Sequence, residues 1–341
     1  MENKQYLLSI CIMSYNRPEA LERLLNSVDS QKYKDALEIV ICEDKSPRRE
    51  EIGIVANKYS SDSQYDVVYV ENEINLGFGK NWRQCAHKAQ GEYLLYMGDD
   101  DRFVPGALDM FMDWLSEHKD LGYVLRTYQT LQNDGNAIVN RYYNNDKFYQ
   151  PGIEGYVDFF LKSNFMSGYT IKREYTFDYE DDALDYTLYY QMYLMGEVCL
   201  KYPSGYCTIP ITEYVGDGLS MFGASESEKD YFKPGVNPAA DVRNVEKTFD
   251  VCEYIDKKHG IDSTTLIKRE FAKYNSYPTM LRCRMAGKKS LKECRAVLKE
   301  MGLDDSKYFK IYYYGLLILG PTLCQKIIHT YKKVHGGRPE L

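Results

Sequence analysis

The chain has 341 residues, 44% of them hydrophobic, and a formal net charge of −7, with a pI near 5.5. That length supports one large domain or two modest ones with cores of their own. The acidic balance argues against nucleic acid as the main partner, because a phosphate backbone is met by a basic surface. The nine cysteines stand singly, none in a C-x-x-C pair. This reads as buried, reduced thiols in a cytoplasmic protein and speaks against a zinc site. The 33 tyrosines suit carbohydrate surfaces, since a ring stacks on a sugar face while its hydroxyl hydrogen-bonds. Genome composition would produce the same count.

Residues 7–13, LLSICIM, form an apolar run of strand length. It meets Asn16, Arg17 and Pro18 without a small-residue cleavage site, so it reads as a first strand and not as a leader. A helix follows from Pro18, with Leu21, Leu24, Leu25 and Val28 on one face. LEIVIC (37–42) is a second strand, ending in Glu43 and Asp44. A helix near 48–60 leads to a third strand, YDVVYVE (65–71). NLGFGKNWRQCAHKAQ (75–90) reads as loop then helix. YLLYM (93–97) is a fourth strand that runs into Asp99, Asp100 and Asp101. PGALDMFMDWLSEH (105–118) is a further helix.

This alternation predicts an α/β fold with a parallel sheet flanked by helices. In such sheets ligands bind beyond the carboxyl ends of the strands. Three polar clusters, Tyr15-Asn16-Arg17, Glu43-Asp44 and Asp99-Asp100-Asp101, are therefore expected in one crevice.

After residue 120 the pattern changes. Residues 123–131 and 137–143 around Asn-Asp-Gly predict a β-hairpin. Residues 167–175 read as a strand, 182–197 as a helix ending near Gly196, and 201–215 as an extended segment. Residues 216–240 read as a flexible loop, and 241–303 as mostly helical. The expected organisation is a domain over 1–240, with halves 1–120 and 121–240, and a helical region over 241–341. Within the latter, 309–334 holds a short apolar stretch followed by lysines. It is too short to span a bilayer. It reads either as a segment lying in a membrane face or as a core helix or dimer interface.

Three adjacent carboxylates repel one another, and burial makes that worse. A positive group is expected beside them. Mg²⁺ and Mn²⁺ favour oxygen ligands, and Mg²⁺ takes one or two carboxylates with water and substrate phosphate. A solvated turn capping the helix at 105 is the simpler alternative.

Four segments in order resemble the inverting glycosyltransferases of family 2, which have a GT-A fold. SYNR (14–17) after the first strand, EIVICEDKS (38–46), NLGFGKNW (75–82) and GEYLLYMGDDD (91–101) carry the resemblance. It is close over about a third of the chain and weaker to about residue 215. It implies a Rossmann-like, mostly parallel sheet with a helical C-terminal extension. It also implies transfer of a sugar from a nucleotide-diphosphate donor, a UDP-sugar being favoured, to a saccharide or lipid-linked acceptor. The setting implied is cell-surface polysaccharide synthesis at the inner face of the membrane.

Tyr15 would pack against the base, with Asn16 and Arg17 close by. Asp44 would bind the base or ribose, and Asp99 the ribose. Asp100, assisted by Asp101, would hold Mn²⁺ or Mg²⁺. Gly98 stands where the commonest form of this motif has an acid. The base that deprotonates the acceptor would be Asp185, with Asp181 and Asp182 as rivals. Here the family's Glu and Arg are replaced by Leu184 and Gln191.

Lys80, Arg83 and Arg102 are candidate diphosphate contacts, and Ser220 a candidate loop contact over the donor. His87 reads as a solvated or core residue. A nucleotidyltransferase is the competing enzyme class, although SYNRPEA lacks the Gly-rich basic loop expected after its first strand. A non-catalytic sugar-binding relative is the third reading. Oligomer formation is left open.

Overall fold

The computed structural model describes residues 5–132, 135–216, 223, 225–229 and 242–335. Residues 1–231 and 232–341 form two compact units. In the first, the apolar runs become strands β1 (Leu8–Ser14), β2 (Leu37–Glu43) and β4 (Tyr93–Gly98), buried along nearly their whole length. Strand β3 (Asp66–Glu71) lies at the edge and is only half-buried. The four pair in parallel in the order β3-β2-β1-β4. Their connections are helices α1 (Pro18–Asn26), α2 (Arg49–Asp62) and α3 (Phe78–Lys88). Parallel neighbours require such crossovers, and helices covering both faces account for the unbroken apolar runs.

Close packing at the start of β4 depends on one glycine. A Cβ on Gly91 would lie 2.5 Å from Ser9 Oγ, 2.6 Å from Ser9 N and 2.8 Å from the Leu8 carbonyl carbon. The Gly91 N–H instead donates to Ser9 Oγ at 2.8 Å and to Glu38 Oε1 at 3.1 Å.

Beyond β4 come the two-residue β5 (Arg102–Phe103), α4 (Ala107–Glu117), and β6 (Tyr123–Leu131) with its hairpin partner β7 (Ala137–Asn140). Asn133 and Asp134 of the expected turn lie outside the described residues. Then follow β8 (Lys147–Tyr149), α5 (Ile153–Phe160), β9 (Tyr169–Lys172), α6 (Arg173–Thr176), α7 (Tyr190–Lys201) and β10 (Ser204–Tyr214). The sheet is mixed: β9 runs antiparallel to both β4 and β6, and β10 is parallel to β6.

The helix expected over 182–197 is shorter at its start and longer at its end. Asp185–Thr187 is a single 3-10 turn, and Leu188 sits at φ +59°. A left-handed leucine cannot continue a right-handed helix, so α7 begins at Tyr190. It then passes through the buried Gly196 to Lys201. Most of the loop expected over 216–240 lies outside the described residues. Of it, Glu226–Glu228 forms a 3-10 turn.

Asp158 on α5 ties β8 to this unit. Its carboxylate accepts hydrogen bonds from Tyr143 Oη (2.6 Å), Tyr149 Oη (2.7 Å), Lys147 Nζ (3.0 Å) and Lys162 Nζ (2.9 Å). Burial works against its charge, but Lys162 and the two phenols outweigh that and hold its carboxyl below the usual range. Asp158→Asn is expected to destabilise the fold by about 2–3 kcal/mol. A carboxylate with a depressed folded pKa contributes fully above its unfolded value, ~3.9, and loses that contribution as pH falls through the folded one. Urea unfolding at pH 7 and at about pH 3 checks this, since the gap between wild type and variant should narrow at the lower pH.

In the second unit the helices Asn244–His259, Thr264–Tyr274, Ser276–Ala286, Lys288–Glu300, Lys307–Leu319 and Pro321–His335 follow one another. Among the described residues no helix is long and apolar enough to cross a membrane. All nine cysteines are buried.

Candidate functional site

Strands β2, β1 and β4 are adjacent, parallel and in step. Ser14 lies opposite Glu43, and Met13 opposite Gly98. Their carboxyl ends therefore deliver Tyr15-Asn16-Arg17, Asp44-Lys45 and Asp99-Asp100-Asp101 to one edge of the sheet. The first two turns leave their strands through left-handed residues, Asn16 at φ +63° and Lys45 at φ +52°. Non-glycine residues in that region cost energy and concentrate at functional sites. The Asn16 side-chain oxygen is buried without a hydrogen-bond partner among the described residues.

The three aspartates are separated by different partners. Asp99 is fully buried. Its Oδ2 accepts from Tyr15 N (3.0 Å) and Ser14 Oγ (3.3 Å), and its Oδ1 faces the Arg17 guanidinium. The same guanidinium bonds Asp100 Oδ2, and Arg23 donates to the Asp100 carbonyl at 2.6 Å. Asp101 is taken by Ser167 Oγ and by Val215 N at 3.3 Å. Burial pushes the Asp99 carboxyl up to about 6, against the pull of Arg17. Burial and then the charge of Asp100 push Asp101 up to about 7. The positive group expected beside the triplet is thus, in the protein itself, Arg17.

The same geometry tests the fit of a divalent cation. Asp99 and Asp100 already converge on one cationic group, and the Asp100 side chain is 29% exposed. Gly98 leaves it room, since a Cβ there would lie 2.9 Å from Asp100 Oδ1. Among the described residues no three acids, histidines or cysteines are grouped to hold a metal. Two converging carboxylates suit a cation that takes one or two such ligands and completes its shell from phosphate and water. Of the three aspartates Asp100 is the most exposed, while Asp101 is engaged by Ser167 and Val215.

Asp44 is placed differently from an open acceptor. Asn72 Nδ2 (2.9 Å) and Leu76 N (2.7 Å) donate to Oδ1, and Asn75 Nδ2 (3.0 Å) and Gly77 N (2.9 Å) to Oδ2. Four donors satisfy a carboxylate, so Asp44 clamps the NLG loop at the start of α3. A second clamp, Glu228, gave no sequence signal. Its Oε1 accepts from Phe78 N at 2.7 Å, and Ser227 N and Oγ donate to Asn75 Oδ1 at 3.0 and 2.6 Å. Burial, and then the charges of Asp44, Glu228 and Glu226, raise the Tyr15 phenol. Ser220 lies outside the described residues.

Arg83 organises the other acids. Its Nη1 and Nη2 donate to Asp185 Oδ1 and Oδ2 at 3.1 and 3.0 Å, a two-bond fork. It also bonds the Asp182 carboxylate and, at 3.1 Å, the Asp181 carbonyl. Arg83 is therefore not an open diphosphate contact; it is occupied by acids about a hundred residues away. Arg102 likewise pairs with Glu213. Lys80 lies 3.9 Å from Asp182, and His87 bonds Glu180 at 2.6 Å.

Of the three candidate bases, Asp181 accepts from its own turn at Ala183 N (2.8 Å). Asp182 is 71% exposed, against 19% for Asp185. Gln191 is buried, with Nε2 donating to the Asn164 carbonyl at 3.3 Å. Asp185 lies over Gly79, two residues along from the Gly77 that Asp44 holds. A Cβ on Gly79 would come within 2.4 Å of Asp185 Oδ1. Gly79→Ala is thus expected to displace this carboxylate from its fork with Arg83, and the structure of the variant checks this.

Residues 9–173 match the family described as glycosyl transferase family 2. Among curated proteins, the chain is 33% identical over 118 residues to an abequosyltransferase of Salmonella typhimurium, covering 34% of each chain. It is 27% identical over 110 residues to the GalNAc(5)-diNAcBac-PP-undecaprenol beta-1,3-glucosyltransferase of Campylobacter jejuni, covering 32% of this chain and 35% of that one. The chain thus spans about a third of the length of these relatives. Among solved structures, residues 1–349 of S. aureus TarS in complex with UDP-GlcNAc align with a TM-score of 0.53. The identity is 13%, over 86% of this chain and 91% of that one. This likeness bears on the fold alone, which is the GT-A-like α/β arrangement of parallel strands and flanking helices.

Proposed function

Residues 9–173 carry a glycosyl transferase family 2 domain, and from that premise we propose that the protein moves a sugar from a nucleotide-diphosphate donor to a saccharide or lipid-linked acceptor with inversion. The observation that carries this reading is the convergence of the Asp99 and Asp100 carboxylates on one cationic position at the ends of parallel strands, beside Tyr15. The donor's nucleotide lies over Tyr15, Asn16 and Arg17, with the buried Asp99 holding Tyr15 N and Arg17 in place beneath it. Asp44 shapes this pocket through the NLG loop, whose backbone it fixes. Asp100, with Asp99 or a reoriented Asp101, would hold Mn²⁺ or Mg²⁺. When bound, the ion supplies neutralising charge to the departing diphosphate.

Asp185 accepts the proton of the acceptor hydroxyl as its oxygen bonds to the anomeric carbon. The bond from that carbon to the diphosphate breaks on the opposite face, which inverts the centre. Arg83 orients the Asp185 carboxylate through its fork. A lipid-linked acceptor is supported by the name of the Campylobacter relative, which contains an undecaprenol-linked saccharide. Cell-surface polysaccharide synthesis is the setting that fits such an acceptor.

Titration calorimetry of the full chain against a panel of UDP-, GDP-, dTDP- and CDP-sugars, with Mn²⁺ and with chelator, tests the proposal. Binding of one class of nucleotide sugar that requires the metal is the expected result. Absence of binding by every nucleotide sugar under every metal condition would overturn it.

A further inference from the structure

The last two described helices of the second unit are packed on part of their surface only. In Lys307–Leu319, Phe309, Tyr313 and Leu316 are buried. Arg284 Nε donates to the Leu316 carbonyl at 3.0 Å, and the Arg295 guanidinium lies 4.6 Å from the Tyr313 ring centre. On another face, Ile311, Tyr314 and Ile318 recur at i, i+3 and i+7 and are 64, 47 and 77% exposed. In Pro321–His335, Leu323 and Ile327 recur one turn apart, 46 and 50% exposed. Single exposed apolar residues are ordinary on a protein surface. A stripe of them at helical spacing on two successive helices marks a contact surface.

Charge accompanies the stripe. Residues 307–335 contain five lysines and no aspartate or glutamate. Residues 276–335 hold twelve Lys and Arg against four Asp and Glu, in a chain whose net charge is −7. Lys307 and Lys310 precede Ile311 and Tyr314 on the same helix, and Lys326 neighbours Ile327; all three lysines are exposed. Apolar side chains among cations, with no acids in the segment, match the headgroup region of an anionic bilayer. A second copy fits less well, because an isologous contact would set this positive face against itself.

We propose that this helical pair docks the protein peripherally on an anionic membrane surface. Ile311, Tyr314, Ile318, Leu323 and Ile327 enter at headgroup depth, and Lys307, Lys310 and Lys326 meet lipid phosphates. The inference rests on these residues alone and stands independently of the transferase reading. For a lipid-linked acceptor, it would place enzyme and acceptor on the same surface.

The test is co-sedimentation of the full chain with phosphatidylcholine vesicles containing about 30% phosphatidylglycerol, against pure phosphatidylcholine. Partition onto the anionic vesicles is expected to be at least ~10-fold stronger and to weaken at about 0.5 M salt. Ile318→Asp combined with Ile327→Asp should lower it about 10-fold with unchanged far-UV circular dichroism. Exchange of Lys307, Lys310 and Lys326 for Glu should remove the preference for anionic lipid. No partition of the full chain, or partition indifferent to both sets of variants, would overturn the proposal. So would a concentration-dependent dimer in light scattering that Ile318→Asp dissociates, without vesicle binding; that result would assign the face to a second copy.

Discussion

Asp185→Asn is expected to lower the rate of glycosyl transfer by about 10²–10⁴-fold, the usual share of a positioned general base. The substitution keeps the shape of the side chain and removes its capacity to take a proton. It also weakens the hold of Arg83, which keeps Asp182 and the Asp181 carbonyl as partners, so the local fold should survive. Donor affinity, measured by calorimetry with metal present, should stay within about 3-fold of wild type, because no donor contact is assigned to Asp185. Loss of turnover at constant donor binding is the signature of a group that acts only in the transition state. A parallel loss of donor binding would instead give Asp185 a structural role at the start of α3. Full activity in the variant would move the base to Asp182 or elsewhere. Asp182→Asn serves as the companion measurement and should retain most activity, since its side chain stands in solvent.

The second large effect concerns Asp100. Asp100→Ala should abolish the metal-dependent part of donor binding, a loss of about 100-fold in affinity, equivalent to roughly 3 kcal/mol. Binding of the nucleotide sugar in chelator should change little. The distinction matters because Asp100 has two roles in the structure: it faces the crevice, and it shares Arg17 with Asp99. Removing it leaves Arg17 paired with the buried Asp99, so the variant is expected to melt within a few degrees of wild type. Calorimetric titration of Mn²⁺ in the presence of the donor measures the effect directly. Equal Mn²⁺ affinity in variant and wild type would shift the ligand role to Asp99 or Asp101.

Much of the first hundred residues follows from local pattern. LLSICIM, LEIVIC and YLLYM are unbroken apolar runs, and such runs fit strands covered on both faces. Helical spacing and Pro18 mark what lies between the first two. Alternation of this kind implies parallel order, and parallel order brings the strand ends together. The pattern alone therefore places Tyr15, Asp44 and Asp99 to Asp101 at one edge of the sheet. The exposed stripe near the C-terminus was also visible as a short apolar segment followed by lysines.

The roles of charged side chains were decided by partners far away in sequence. Arg83 reads as a free cation on a helix, yet it forks onto Asp185, 102 residues later. Asp44 reads as a ligand contact, yet loop donors 28 to 33 residues on use both of its oxygens. Leu188 belongs to a helical pattern, but its backbone is left-handed and divides the turn carrying Asp185 from α7. Glu228, 150 residues from Phe78, carried no local signal at all. Apolar periodicity is a property of neighbouring residues, so one strand or helix suffices to reveal it. An ion pair depends on where two distant segments meet, and the folded chain alone brings Arg17 to Asp99 and Asp100, and Arg83 to Asp185.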